Sequence, residues 1–312
     1  MDILPQLFLD GLVVGFVYAL IAVGYTMVYG VLELINFAHG DIFMVGAFVG
    51  TEVLVALAGW GLRATADPWL ALSLALLPAM AVAAALGVAV ERFAYRPLRR
   101  SPRLIILISA IGVSFIIEDL VRLVETIHQG KFVLPVPTVF PDVYHVSVPG
   151  LPSPLTIKAN SLVVVGAAVI MMVVLTLIVS RTRAGRAMRA VAEDPVTAAL
   201  QGVDVDRIIA LTFLIGSAMG GAAGVLFATQ YTTITPYIGF LIGIKAFTAA
   251  VVGGIGNIPG SFLGGILLGV LEQVGGGFVG AKFQNVFAFC VLVAVLIFKP
   301  SGLLGQRVQE KV

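Results

Sequence analysis

The feature that most constrains this chain is a succession of long runs containing no Asp, Glu, Lys or Arg. Residues 11–32, 69–90 and 159–180 are such runs. Each is about as long as a helix needs to cross hydrocarbon, roughly 20 residues. The run at 208–244 is too long for one span and must fold back. Its break falls at Gln230-Tyr231-Thr232-Thr233-Ile234-Thr235-Pro236, polar and ending in a helix-breaking proline. The run at 246–271 is likewise cut, at Gly256-Asn257-Ile258-Pro259-Gly260, and a last apolar segment at 283–298 stops at Lys299-Pro300. Two less uniform segments complete the set: 42–59 carries only Glu52, and 104–124 turns polar at Glu118, Asp119 and Arg122. The expectation is an all-α, polytopic helix bundle of about eight to nine membrane segments, some broken or re-entrant, forming a single domain over 1–312.

Composition agrees. Only 12% of residues are charged and 59% are apolar, with a mean hydropathy of +1.06, whereas a soluble domain carries about 25% charged residues. So few charges cannot clothe an aqueous surface, but a lipid-facing surface needs almost none. A net charge of +2 gives no footing for nucleic acid. The single cysteine, Cys290, excludes an intramolecular disulfide and any multi-cysteine metal site.

Basic residues orient the spans. Arg92, Arg96, Arg99, Arg100 and Arg103 crowd one loop, and Arg181, Arg183, Arg186, Arg189 and Arg207 another. Lys299, Arg307 and Lys311 lie at the C-terminal end. Nine spans with the N-terminus outside and the C-terminus cytoplasmic put all thirteen on one face, leaving Arg63, Lys131, Lys158 and Lys282 opposite. Asp2 stands where a signal peptide has a basic leader, so the first apolar run is expected to remain as a span. The longest extramembrane loop, about 125–160, is rich in proline (Pro135, Pro137, Pro141, Pro149, Pro152, Pro154). It has room for a short strand at 143–148 and suits a cap or a partner contact.

The motifs of catalysis are missing. Gly130-Lys131 is followed by Phe132, so no nucleotide-binding P-loop exists. No G-x-S-x-G occurs, and His39, His128 and His145 have no metal-ligand spacing. The loop at about 181–207 is more informative. Asp194-Pro195 has the chemistry of an N-cap followed by proline at the first helical position. Val196–Gln201 can form one or two turns, and Gly202 suits the terminus. So short a helix needs something packed on it, either the bundle or a partner. Among membrane-depth polar groups, Lys245 can face a pathway, pair with a carboxylate such as Glu272, or snorkel to an interface. Asn36, His39 and Asp41 can shape an inward turn or gate, or simply connect helices. Glu118, Asp119 and Arg122 have the spacing of a local ion pair. Gly216, Gly220, Gly221 and Gly224 signal close helix packing. Asn36-Phe37-Ala38-His39-Gly40 and Asn257-Ile258-Pro259-Gly260 echo each other faintly, as a parallel repeat or as two unrelated glycine-rich turns.

A family resemblance runs in order over nearly the whole chain. Arg186-Ala187-Met188-Arg189-Ala190-Val191-Ala192-Glu193-Asp194-Pro195, then Ala198-Ala199 and Gly202, resembles the coupling loop of permeases in branched-chain amino-acid ABC importers. Ala19-Leu20-Ile21-Ala22-Val23-Gly24-Tyr25-Thr26-Met27-Val28-Tyr29-Gly30 with Ile35-Asn36-Phe37-Ala38-His39-Gly40-Asp41 is similar to the same family's N-terminal hallmark. Glu91–Arg99, Lys245-Ala246-Phe247 and Gly253-Gly254-Ile255-Gly256-Asn257 fit as well. The match is to the shorter, LivH-type permeases.

The resemblance implies a subunit that is no enzyme and binds no cofactor. ATP and Mg would sit on two cytoplasmic ATPase subunits, with a second homologous permease and a periplasmic or extracellular solute-binding protein completing a machine in the bacterial inner membrane. It implies ATPase coupling through Arg189, Glu193, Asp194, Pro195, Ala199 and Gly202. Asn36, His39, Gly40, Asp41, Lys245, Asn257 and Pro259 are the candidates for the translocation pathway or gate. Two alternatives stand beside it: the same machine carrying urea, short amides or another small solute, and, from another class, an ion-coupled secondary carrier.

Overall fold

The computed structural model describes residues 3–60, 64–99, 101–149 and 153–305. Asp2, Arg63, Arg100, Pro152, Arg307 and Lys311, all used above, lie outside them. The chain is almost entirely helical. In order come α1 (Leu4–Leu32), α2 (His39–Gly59), α3 (Pro68–Val90), a π-helical turn at Glu91–Tyr95, α4 (Arg96–Leu98) and α5 (Arg103–Gln129). Then follow α6 (Ala159–Arg181), α7 (Arg183–Glu193), α8 (Pro195–Leu200), α9 (Val205–Gln230), α10 (Ile238–Gly253), α11 (Ile258–Val279) and α12 (Gln284–Phe298). Among the described residues, eight helical stretches are long and apolar enough to cross a membrane, and α10, at 16 residues, is a shorter ninth apolar helix.

The expected breaks fall where the polar residues and prolines lie. The 208–244 run opens at Tyr231–Tyr237, where β4 (Thr233–Ile234) pairs antiparallel with β1 (Leu134–Pro135) from the long loop. In the same loop β2 (Val143–Val146) pairs with β3 (Leu155–Lys158), so the expected strand is one arm of a hairpin. The 246–271 run breaks after Gly253. There Asn257 caps α11, its Oδ1 accepting from the Gly260 amide at 2.9 Å.

The hairpins alternate between two ends. At one end Arg103 reaches Glu33 (3.5 Å), Arg96 and Arg99 pair with Asp206, and the Asn257 amide donates to Leu304 O (2.8 Å). At the other, Gln6 bonds both backbone groups of Thr156 (3.0 and 2.9 Å), Asn160 donates to Gln230 (2.8 Å), and Gln129 to Glu52 (3.1 Å). The basic cluster at Arg96–Arg103 therefore shares an end with the loop beginning at Arg181.

Lipid gives helices no hydrophobic reason to associate, so close packing must do it. Glycine supplies the closeness. Gly11 and Gly15 of α1 lie against the backbone of Ile266, Gly269 and Val270 on α11, and Gly265 lies against Ala19. Gly46 of α2 meets Gly221 of α9, whose other side meets Ala79 and Ala83 of α3. Gly40 of α2 rests on Gly239 and Gly243 of α10.

The contacts form a pattern. α1 packs on α11 and α10 much as α9 packs on α3 and α2, while α1 meets α9 and α2 meets α10 across the centre. Because α1 and α9 run in opposite directions, the relation is inverted. It pairs α1–α3 with α9–α11, unlike the parallel echo between the two asparagine turns. Those turns differ in detail too: Asn257 is an N-cap, whereas α2 starts after Ala38 with no side-chain cap. We predict that Gly265→Val, which drives a side chain into the α1 backbone, lowers stability by several kcal/mol, on or above the ~1–3 kcal/mol scale of overpacking. Gly112→Ala on α5, with nothing within 4 Å, should leave thermal unfolding in detergent unchanged.

Candidate functional site

At the end of the bundle that gathers the basic loops, α6 turns sharply into α7. Thr182 caps α7 by accepting from the Gly185 amide (3.0 Å), and Gly185 lies against the Ile178 and Val179 carbonyls, where no side chain fits. Arg189 donates to the Val179 carbonyl, satisfying an acceptor that the end of α6 leaves open. α6 and α7 are thereby joined as a braced elbow, with Met188 and Val191 buried beneath it.

α8 follows directly. Asp194 accepts from the Val196 amide (2.9 Å) and from the Thr197 hydroxyl, and Pro195 occupies the first helical position. Gly202, at φ +86°, ends the turn in the left-handed region that glycine tolerates. Ala198 is buried and pins the helix. Glu193, Ala199 and Gly202 are exposed, and so are two large apolar side chains one turn apart, Val196 (69%) and Leu200 (84%). A helix held by a cap and one anchoring alanine thus presents an unpartnered apolar face.

Beside the elbow lies a groove of about 670 Å³, walled by Thr176, Val179 and Arg189 on one side and by Gly256, Asn257 and Pro259 on the other. Arg189 belongs to the expected coupling set, and Asn257 and Pro259 to the expected pathway set; the fold brings the three together. The tail closes over the same turn. The Leu303 and Leu304 amides donate to Val252 and Gly253 carbonyls at 2.8 and 3.0 Å, covering the end of α10.

The remaining pathway candidates form two buried clusters. Asn36 accepts from the Tyr95 hydroxyl at 2.7 Å, and the π-helical turn carries Tyr95 to that position. His39, fully buried, stacks edge-on against Tyr25 (4.8 Å) and fills the notch at Gly24 and Gly220. Gly40 lets the first turns of α2 and α10 abut. Asp41, also fully buried, sits in the first turn of α2 next to Gly239 and accepts from Ser114. The first turns of two helices thus meet at one carboxylate, as where broken helices meet at transporter sites, and its Oδ1 has no hydrogen-bond partner among the described residues.

The second cluster holds Lys245, 6% exposed. Its Nζ lies 2.6 Å from Glu272 Oε1 and 5.7 Å from the Tyr18 ring centre, and the Tyr18 hydroxyl lies 3.4 Å from both charged groups. Lys245 therefore pairs and does not snorkel. Arg122 bonds Asp119 (3.4 Å) one turn away, as its spacing implied, and also Tyr237 (3.4 Å).

Tyr18 and Ser114 were not singled out by sequence, and Tyr95 and Ala198 stood only inside motifs quoted for the family resemblance. Tyr18 meets Lys245 across 227 positions, which no local pattern reveals. Among the described residues no group of three His, Cys, Asp or Glu could hold a metal.

Breaking a buried pair leaves a lone charge in a poor dielectric. Lys245→Met is therefore expected to cost roughly 3–5 kcal/mol, read as a fall in unfolding midpoint in detergent. Glu272→Leu added to it should restore most of the loss.

Comparison with known proteins places the chain in a family. Residues 7–296 match the family described as branched-chain amino acid transport system / permease component. The high-affinity branched-chain amino acid transport system permease protein LivH of Salmonella typhimurium is 43% identical over 310 residues, covering 99% of this chain and 97% of the relative. BraD of Pseudomonas aeruginosa, a permease protein of the same description, is 44% identical over 307 residues, 98% and 97% of the two chains. A probable LivH of Methanocaldococcus jannaschii is 27% identical over 323 residues, 97% and 94%. With a braced elbow at the end that gathers the basic loops, nine apolar helices among its described residues and a match over almost its full length, the chain belongs to the branched-chain amino acid transport system permease family.

Proposed function

We propose that this chain is a transmembrane permease subunit of an ATP-driven importer for branched-chain or related apolar amino acids. Its near full-length similarity to permease proteins of such systems supports the substrate class. The observation that carries the mechanism is α8, a capped helix outside the bundle with Val196 and Leu200 exposed. An ATP-driven subunit that has no nucleotide loop takes its energy from a partner, and an exposed apolar face on a pinned helix is what a partner's groove engages. Two ATPase subunits, carrying ATP and Mg, take α8 and its counterpart on a second permease. A solute-binding protein delivers the amino acid to the opposite end, where the β2–β3 hairpin lies.

The basic loops orient the protein with its N-terminus outside and its C-terminus in the cytoplasm of a bacterial inner membrane. Nucleotide-driven approach of the two ATPases moves α8, and the braced elbow transmits that movement to α6. Across the groove, Arg189 faces the Asn257–Pro259 turn, so the same movement bears on α10 and α11. Those helices carry the contacts to Asp41 and Lys245, the polar groups best placed along a pathway.

The test is uptake of labelled leucine into proteoliposomes with ATP inside, containing this chain, its partner permease, both ATPases and the binding protein. Asp194→Ala removes a cap worth ~1 kcal/mol of helix stability and should reduce uptake, as should Pro195→Ala. Leu200→Glu, placing a charge in the apolar contact, should reduce uptake on the order of 10-fold or more while the bundle stays folded. Active ATPases with uptake of urea or a short amide in place of leucine would assign another solute. Uptake by this chain alone, without ATP, would contradict the importer reading in favour of an ion-coupled carrier.

A further inference from the structure

A second groove, of about 600 Å³, runs between α2, α3 and α5, toward the end of the bundle opposite the elbow. Its walls are apolar, with Val45, Phe48, Val49, Val53, Val121 and Val124 among them, yet two carboxylates interrupt them, Glu52 and Glu125. Both carboxyls line this groove from neighbouring helices, and Gln129, one turn beyond Glu125 on α5, bonds Glu52 on α2. Glu125 is only 5% exposed, and its Oε2 has no hydrogen-bond partner among the described residues. Glu52 is better provided for. Gln129 donates to both its oxygens, at 3.1 and 3.3 Å, and His128 Nδ1 stands 3.8 Å away.

Two carboxyls in one groove walled by hydrocarbon, one of them buried with an oxygen unpartnered, call for a shared proton or a cation. The surroundings choose among cations. Calcium takes about six to eight oxygen ligands and magnesium a near-ideal octahedron, whereas this wall offers two carboxylates, and even with His128 nearby no three His, Cys, Asp or Glu among the described residues are placed to hold a metal. A primary ammonium has three N–H donors and no acceptor, and two carboxylates with one open oxygen satisfy it. The aliphatic walls then cover a hydrocarbon tail, which a bare ion does not have.

We propose that the Glu52–Glu125 groove binds an aliphatic primary ammonium, its N–H groups on the two carboxylates and its chain along Val45, Val49, Val53, Val121 and Val124. This chemistry has two sources. An aliphatic amino acid supplies it from solution, its carboxylate directed to the exposed end near His128. A phosphatidylethanolamine headgroup supplies it from the bilayer, with acyl chain in the groove. The site stands on its own residues and does not depend on the transport reading.

The test uses the full chain in phosphatidylglycerol nanodiscs, which contain no primary amine lipid, titrated calorimetrically with isoamylamine. The expected result is saturable binding that weakens on the order of 10-fold or more in Glu125→Gln and in Glu52→Gln, the scale for truncating a charged partner. The uncharged 3-methylbutanol should not bind. Val121→Trp, which keeps both carboxylates but fills the groove, should also abolish binding. Displacement of isoamylamine by leucine would identify the amino acid as the source, and displacement by phosphatidylethanolamine would identify the lipid. Failure of isoamylamine to bind the folded wild-type chain would overturn the proposal. So would affinity unchanged in both glutamine variants, or retained in Val121→Trp.

Discussion

Everything in this bundle depends on how near one helix backbone can come to another. In water, apolar faces associate because water expels them; in lipid that drive is gone, and association rests on van der Waals contact and polar bonds. The chain answers with glycine at the crossings: Gly15 and Gly265 between α1 and α11, Gly46 and Gly221 between α2 and α9, Gly40 and Gly239 between α2 and α10. The same residues relate α1–α3 to α9–α11 in an inverted sense. Two oppositely directed sets thus share one tightly packed centre, and α12 and α5 lie largely outside it, with their flanks toward lipid or a neighbour.

That closeness makes the buried polar groups affordable and gives them their places. Asp41 is fully buried where the first turns of α2 and α10 meet, an arrangement Gly40 and Gly239 permit, with Ser114 bonded to one oxygen and the other left unpartnered among the described residues. Lys245 and Glu272 tolerate it because they hold each other at 2.6 Å. Both clusters tie α10 to its neighbours, and α10 ends at the turn that faces Arg189 across the groove. On the proposed function, the elbow, the turn and the buried charges form consecutive parts of one mechanical path, from an exposed helix face to the middle of the bundle.

Much of the architecture was legible in the sequence, because a membrane leaves few alternatives. Charge-free runs mark helices, Pro236 and Pro259 mark their interruptions, and Asp194-Pro195 marks α8 to within a residue of its observed start. Pairings between distant segments were less legible. The Lys245–Glu272 bond was among the readings open to Lys245, but Tyr18 beside it carries no local signal. Asn257 and Pro259 read as pathway residues by their break in a helix, and only folding puts them opposite Arg189. Glu125 drew no reading from the sequence, since burial on α5 depends on which face meets α2. The inverted relation of the halves leaves no periodic trace, because what repeats is contact geometry and not residue type.

The claim that most needs testing is that motion of the elbow is passed across the groove to the α10–α11 turn. Spin labels at Arg186 on α7 and Leu303 on the tail, both exposed, bracket that groove; Cys290, the only native thiol, is first replaced by Ser. In the assembled transporter, electron–electron resonance distances between them should shift when ATP is bound and return after hydrolysis. The same distance with and without nucleotide, in a transporter that still hydrolyses ATP, would contradict the account.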